Sequence, residues 1–168
     1  MSRPASTRAS LMFLALTLLG FLAASSAPTP LYHLYQEQLQ FSAAVLTLIF
    51  GVYAFSLLAA LLIVGSLSDY LGRKPVIFAA LLLNIVAMLL FINAGSIGWL
   101  IGARLIQGFA TGMATSVLGA ALLDFDRRQG PLITSVAPLL GMACGALGCG
   151  LLAEFAPLPL QLTYWLLL

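Results

Sequence analysis

The sequence predicts an all-α fold embedded in a lipid bilayer, and three observations carry that prediction. Of 168 residues, 62% are hydrophobic and only 7% are charged. A soluble domain carries about a quarter charged residues and needs polar groups to cover its surface. The apolar residues also fall in long runs, and crossing about 30 Å of hydrocarbon as a helix takes roughly 17–25 residues. Finally, stretches such as residues 57–64 are apolar at every position, whereas strands of a membrane barrel alternate. Backbone groups facing lipid must be bonded within their segment or in a closed barrel, so helices remain. The mean hydropathy of +1.09 excludes a soluble globular domain, a disordered tail and a nucleic-acid-binding module. A net charge of +2 is too small to imply an anionic partner. Cys144 and Cys149 lie in an apolar stretch, which speaks against a disulfide framework.

The first apolar run covers residues 10–27. Arg3 and Arg8 before it, with Ser25-Ser26-Ala27 at its end, resemble the parts of a secretory signal. The apolar stretch is longer than a typical signal core and Pro28 follows directly, which favours a retained first helix. Pro28-Thr29-Pro30 either ends that helix or interrupts it, because Leu31 to Tyr35 can continue helically. Tyr32 and Tyr35 equally suit a helix end at the interface. The next runs cover residues 43–67, 76–92, 97–123 and 132–153. A sixth begins at residue 158 and is still apolar at Leu168, too short to span, so truncation within helix six is expected. Breakers fill the connections: Gly72 with Pro75, Asn93 to Gly95, Gly130-Pro131, and Pro157 with Pro159.

Charge orients the chain. Arg3 and Arg8 precede span one, Arg73 and Lys74 join spans two and three, and Arg127 and Arg128 join four and five. All three positions fall on one side, and the opposite loops hold no Lys or Arg. The positive-inside rule makes that side, and the amino terminus with it, cytoplasmic. The expected location is the cytoplasmic (inner) membrane.

Between spans two and three the sequence reads Gly65-Ser66-Leu67-Ser68-Asp69-Tyr70-Leu71-Gly72-Arg73-Lys74-Pro75. Asp69 ends a helix with Arg73 four residues on, within pairing reach if the turn persists. Gly65 lets another backbone approach, Gly72 permits a tight reversal, and Pro75 suits the start of the next helix. A basic turn obeying the positive-inside rule is the plain reading of an isolated Gly-Arg-Lys. The whole stretch, however, resembles the signature loop of the major facilitator superfamily, matching at Gly65, Leu67, Asp69, Gly72, Arg73 and Lys74. It departs at Ser68 and at Tyr70, where the family often has a basic residue. The resemblance implies a secondary transporter of about twelve helices in two six-helix halves. This chain would be the amino-terminal half, with the carboxy-terminal half absent. It further implies an inner gate in which Asp69 caps a helix of the other half and Arg73 pairs with Asp124, at the end of helix four.

Arg104 is the one charge inside a span, about 10 Å deep from the outer side at 1.5 Å per residue. A cation there costs a few kcal/mol and faces a partner, a wet cavity or, by snorkelling, the surface. Leu100 to Gly112 is similar to the superfamily's helix-four motif, in which Arg, Gln and Gly recur at these spacings. That likeness implies a cavity or coupling role for Arg104, and Gln107, one turn away, can share it. Gly108 and Gly112 form a small-xxx-small pair suited to close helix packing. Pro138 and Gly141, followed by Gly145, resemble an exporter element of span five, with Ala137 and Met142 in place of its outer glycines. A kinked, close-packed helix explains them equally well.

Spans one to three hold no deep carboxylate, so His33 and Glu37, one turn apart at the outer end, are the nearest candidates for a shallow proton site. An amphipathic helix end in water accounts for them too. Tyr53 and Asn84, alone in apolar spans, are either cavity residues or local hydrogen-bonding groups. No metal, cofactor, nucleotide or hydrolase constellation is visible, and no enzyme activity is expected. The leading expectation is alternating-access transport of a small organic solute, as proton-coupled efflux of drug-like or sugar-like compounds. The alternatives are a sugar or organic-acid importer of the same superfamily, and a non-transporting truncated membrane protein or helix-packing scaffold. Expected partners are the bilayer, a small-molecule substrate, protons and the missing half, with no nucleic acid.

Overall fold

The structure, a computed structural model, describes the backbone of residues 5–168 and the side chains from residue 9 onward, except those of Ser66, Leu67 and Asp69. Among these residues helix follows helix, with no strand: α1 (Ala5–Ser26), α2 (Pro28–Leu39), α3 (Ala43–Leu71), α4 (Arg73–Ile92), α5 (Ile97–Phe125), α6 (Gly130–Phe155) and α7 (Pro159–Leu167). Five stretches are long and apolar enough to cross a membrane, and α1 with α2 forms one of them. Several helices run past the apolar runs that mark them. A run measures hydrocarbon thickness, whereas the helix continues into the polar interface until a cap or a breaker stops it.

Those stops are local chemistry. Ser42 caps α3, its hydroxyl accepting from the Val45 N–H at 3.5 Å. Gly72 separates α3 from α4 at φ +86°, a region that side chains with a Cβ rarely enter. Pro28 and Pro159 stand in the first turns of α2 and α7, where a missing N–H costs little. Asp126 closes the α5–α6 turn, its Oδ1 accepting from the N–H groups of Arg128 and Gln129. Pro138, in contrast, lies inside α6, which runs unbroken through it.

Helix α5 is the hub, packed against α3, α4, α1 and α6, and its buried residues outnumber those of its neighbours. Two of the crossings are built alike. On α5, a Cβ at Gly108 would strike the Tyr53 carbonyl, and one at Gly112 would come within 2.5 Å of the Leu57 carbonyl oxygen. On α6, a Cβ at Gly141 would come within 2.6 Å of the Leu19 carbonyl oxygen, and one at Gly145 would strike that of Ala23. In each crossing a glycine pair four residues apart meets carbonyls four residues apart. Small side chains of this kind let membrane helices approach closely.

Two apolar clusters result. One gathers Leu14, Leu18, Val76, Ala80, Leu118 and Leu122 toward the Arg73 end. The other gathers Leu31, Tyr35, Met88, Phe91, Leu100 and Tyr164 toward the His33 end. The outer faces stay apolar, with Phe55 and Leu62 on α3, Phe78 on α4, and Leu139 and Leu147 on α6 all exposed. In water these faces would be unstable; lipid or protein must cover them.

Candidate functional site: a buried arginine on a broken helix

Between the two apolar clusters lies a polar layer. Arg104 is 1% exposed and Gln107 and Thr111 are fully buried, all three on α5 at spacings that share one face. The partner of that face is the junction of α1 and α2. Of the two readings of Pro28-Thr29-Pro30, the structure shows an interruption of the hydrogen-bond ladder rather than an end: Ala27, between α1 and α2, keeps helical angles (φ −52°, ψ −43°), and helix resumes at Pro28.

Proline chemistry explains what the junction offers. In a helix the N–H of residue 28 would bond the carbonyl of residue 24, and Pro28 has none to give. The Ala24 carbonyl instead accepts from Gln107 Nε2 at 2.9 Å. The neighbouring Ser25 carbonyl accepts from Arg104 Nη1 at 3.0 Å. The same nitrogen donates to Gln107 Oε1 at 2.8 Å, so the Gln107 amide is used at both ends. Arg104 Nε donates to the Tyr32 hydroxyl at 2.5 Å, and Thr111 bonds back to the Gln107 carbonyl. Arg104 and Gln107 thus staple the broken first helix to α5.

Among the described residues no carboxylate pairs with Arg104. Its counter-charge comes from dipoles. The carboxyl end of α1 carries partial negative charge on its last carbonyls, and one of these is the Ser25 oxygen. Four aromatic rings add their negative faces: Tyr32, Phe50, Tyr53 and Phe91 lie 5.1–5.8 Å from the guanidinium carbon. Each such contact contributes about 0.5–2 kcal/mol, more as it is desolvated. One nitrogen, Arg104 Nη2, is buried without a hydrogen-bond partner.

At the far end of the bundle a different arginine pairs with a carboxylate. Arg73 Nε donates to Asp124 Oδ2 at 2.7 Å, linking the start of α4 to the end of α5. Both residues, with Lys74, line a groove of about 860 Å³ between α1, α4 and α5, walled by Phe13, Ile77 and Leu81. Gly65 lies on α3 near Ser116, whose Oγ would be 3.5 Å from an added Cβ. The side chain of Asp69 falls outside the described residues.

The other residues singled out in the sequence distribute as follows. His33 Nε2 and Glu37 Oε1 are 3.6 Å apart on the exposed face of α2, away from the buried layer. Tyr53 shares a 2.5 Å hydrogen bond with Ser25 Oγ, which ties α3 to the same junction. Asn84 is half-buried on α4, and its Oδ1 has no partner among the described residues. Sequence reading met Ser25 only as part of a signal-like end of the first run, and left Tyr32 between a continuing helix and an interfacial helix end. The signal for Tyr32 was present: Ala24, Pro28 and Tyr32 recur every four residues, one stripe along the broken helix.

Comparison with known proteins agrees with this architecture. Residues 12–168 match the Major Facilitator Superfamily. The chain is 33% identical over 119 residues to the multidrug resistance protein MdtL of Klebsiella pneumoniae (strain 342), covering 66% of this chain and 30% of that protein. It is 31% identical over 132 residues to MdtL of Escherichia coli O45:K1 (strain S88 / ExPEC), covering 74% of this chain and 32% of the relative. The matched segment thus spans under a third of the length of these relatives. With the family matched over nearly its whole length and five membrane-crossing stretches, this chain is a multi-pass membrane protein of the Major Facilitator Superfamily.

Proposed function

We propose that the chain is the amino-terminal half of a secondary active exporter that moves drug-like or sugar-like compounds by alternating access, driven by protons. The observation that carries this reading is the polar layer in the middle of an otherwise apolar bundle. A buried cation held by a carbonyl of an interrupted helix is costly in a membrane, and ionisable residues at such depth mark solute or proton pathways. The names of the relatives, multidrug resistance proteins, favour efflux over import.

On this reading Arg104 and Gln107 belong to the central cavity and its coupling machinery. Arg73 and Asp124, with Asp69, form the inner gate, and their ion pair supports that assignment. The connections carrying Arg73-Lys74 and Arg127-Arg128 are cytoplasmic, as is the amino terminus. On this reading a second, carboxy-terminal half completes the transporter. His33 and Glu37 form an outer proton site that a deeper acid in that half would replace.

Inverted membrane vesicles of the full-length protein test this. An inside-acid gradient is expected to drive uptake of exported compounds, and collapse of the gradient to abolish it. Uptake that needs no gradient, or solute movement only in the opposite direction, would overturn the exporter reading.

A further inference from the structure

The hydrogen-bond inventory around Arg104 is unbalanced in one direction. Nε and Nη1 have acceptors, whereas Nη2, with two N–H groups, has none. The Tyr32 hydroxyl accepts from Nε, and its own proton has no acceptor among the described residues. Ser25 Oγ and Tyr53 OH share one hydrogen bond between two hydroxyls, which leaves one further proton to donate. The buried nitrogen left without a partner in this layer is therefore a donor, and the charge it carries is positive. A buried group of this kind calls for an acceptor bearing negative charge.

The ring shell also has a closed side and an open one. Tyr32 and Phe91 are almost fully buried, on α2 and α4. Phe50 is exposed and Tyr53 half-buried, both on α3. These two rings, the less buried of the four, flank the guanidinium from the α3 side.

We propose that the Arg104 layer is a binding site for the carboxylate of an aromatic organic acid, with Arg104 Nη2 and the Ser25–Tyr53 hydroxyl pair as donors and Phe50 and Tyr53 flanking the ring. The inference rests on the reading that Arg104 faces the solute path. It names the class of compound the transporter accepts: aromatic carboxylates in preference to amines or neutral amides of the same shape.

Equilibrium binding to the full-length transporter in lipid nanodiscs tests it, with benzoate, benzamide and benzylammonium as probes. Benzoate is expected to bind saturably and at least tenfold more tightly than either of the others. Arg104→Lys is expected to weaken benzoate at least tenfold, with Arg127→Lys as the unaffected control. Should Arg104→Lys fail to insert, the pair Ser25→Ala with Tyr53→Phe removes the hydroxyl donors while leaving no orphan between them, and is expected to weaken benzoate three- to tenfold. Equal affinity for benzoate and benzamide would overturn the proposal, as would benzoate binding unchanged in the variants. A site already filled by an acidic side chain of the other half would show no saturable benzoate binding, and that result overturns it too. The measurement needs no gradient, so benzoate can fail while proton-driven export of a neutral compound stands.

Discussion

Two arginines in this bundle meet the same need in opposite ways. Arg73 stands at a helix start, is 28% exposed in its side chain, and pairs with the Asp124 carboxylate, itself 63% exposed. Arg104 is 1% exposed and has no carboxylate among the described residues. It is held by a carbonyl of a broken helix, a side-chain amide, a tyrosine hydroxyl and the faces of four rings. Near water, an ion pair makes and breaks at little cost, because solvent screens both partners. Deep in the bundle a bare charge is intolerable, so neutral dipoles fixed by the fold share it out. The first arrangement suits a contact that opens and closes; the second suits a charge that must stay in place and keep one valence free.

Removing a neutral partner of the buried cation should break this arrangement most severely. Gln107→Leu takes away one acceptor from Arg104 and leaves the Ala24 carbonyl orphaned beside Pro28. Hydrogen bonds to charged groups contribute about 1.5–3 kcal/mol, and a buried orphan adds about 1–3 kcal/mol, so a loss of about 2.5–6 kcal/mol is expected. The midpoint of unfolding in mixed micelles, with helicity followed by circular dichroism, reads it. A variant as stable as the parent would mean that Gln107 does not hold the junction.

Deleting the charge itself is expected to cost less. Arg104→Met orphans the Ser25 carbonyl and Gln107 Oε1, but it also removes the expense of a desolvated guanidinium. Replacement of buried ionic groups by well-packed apolar ones is often near neutral. A loss of about 1–2 kcal/mol is expected, below that of Gln107→Leu on the same unfolding assay, together with loss of transport. A larger loss than for Gln107→Leu would show that the cation stabilises the fold on balance.

The sequence made the scaffold and the exposed arginine legible, and half of the buried one. Uninterrupted apolar runs can only be helices in lipid, so the number and order of spans follow from counting. The glycine pairs of α5 and α6 stood out because a Cβ-free stripe repeats every four residues. Arg73 and Asp124 are fifty-one positions apart, a pairing that no local pattern encodes and only the family resemblance implied. Arg104 and Gln107 were visible as polar residues one turn apart. Their partners were not: the Ala24 and Ser25 acceptors are backbone atoms, which every residue carries and no side chain announces. Pro28-Thr29-Pro30 was the available clue, since proline frees a carbonyl at a known distance, yet it read equally well as a helix end. Whether the freed carbonyl faced lipid, water or α5 depended on the crossing of α1 over α6, a tertiary fact.

Asp124→Asn supplies the smallest stability effect and the sharpest contrast. The carboxylate is largely exposed, and exposed ion pairs contribute about 0–1 kcal/mol. Stability of the Asn variant should therefore lie within about 1 kcal/mol of the parent, and raising the salt should shrink even that difference. Transport should nonetheless fall several-fold if the pair helps hold the inner face closed, because a gate works on a balance between two states. Shifting such a balance tenfold takes only about 1.4 kcal/mol. Vesicle transport and unfolding, measured on the same preparation at low and at high salt, separate the two effects. A large stability loss with transport intact would make Arg73–Asp124 a structural tie, and the contrast with Arg104 would then be one of depth alone.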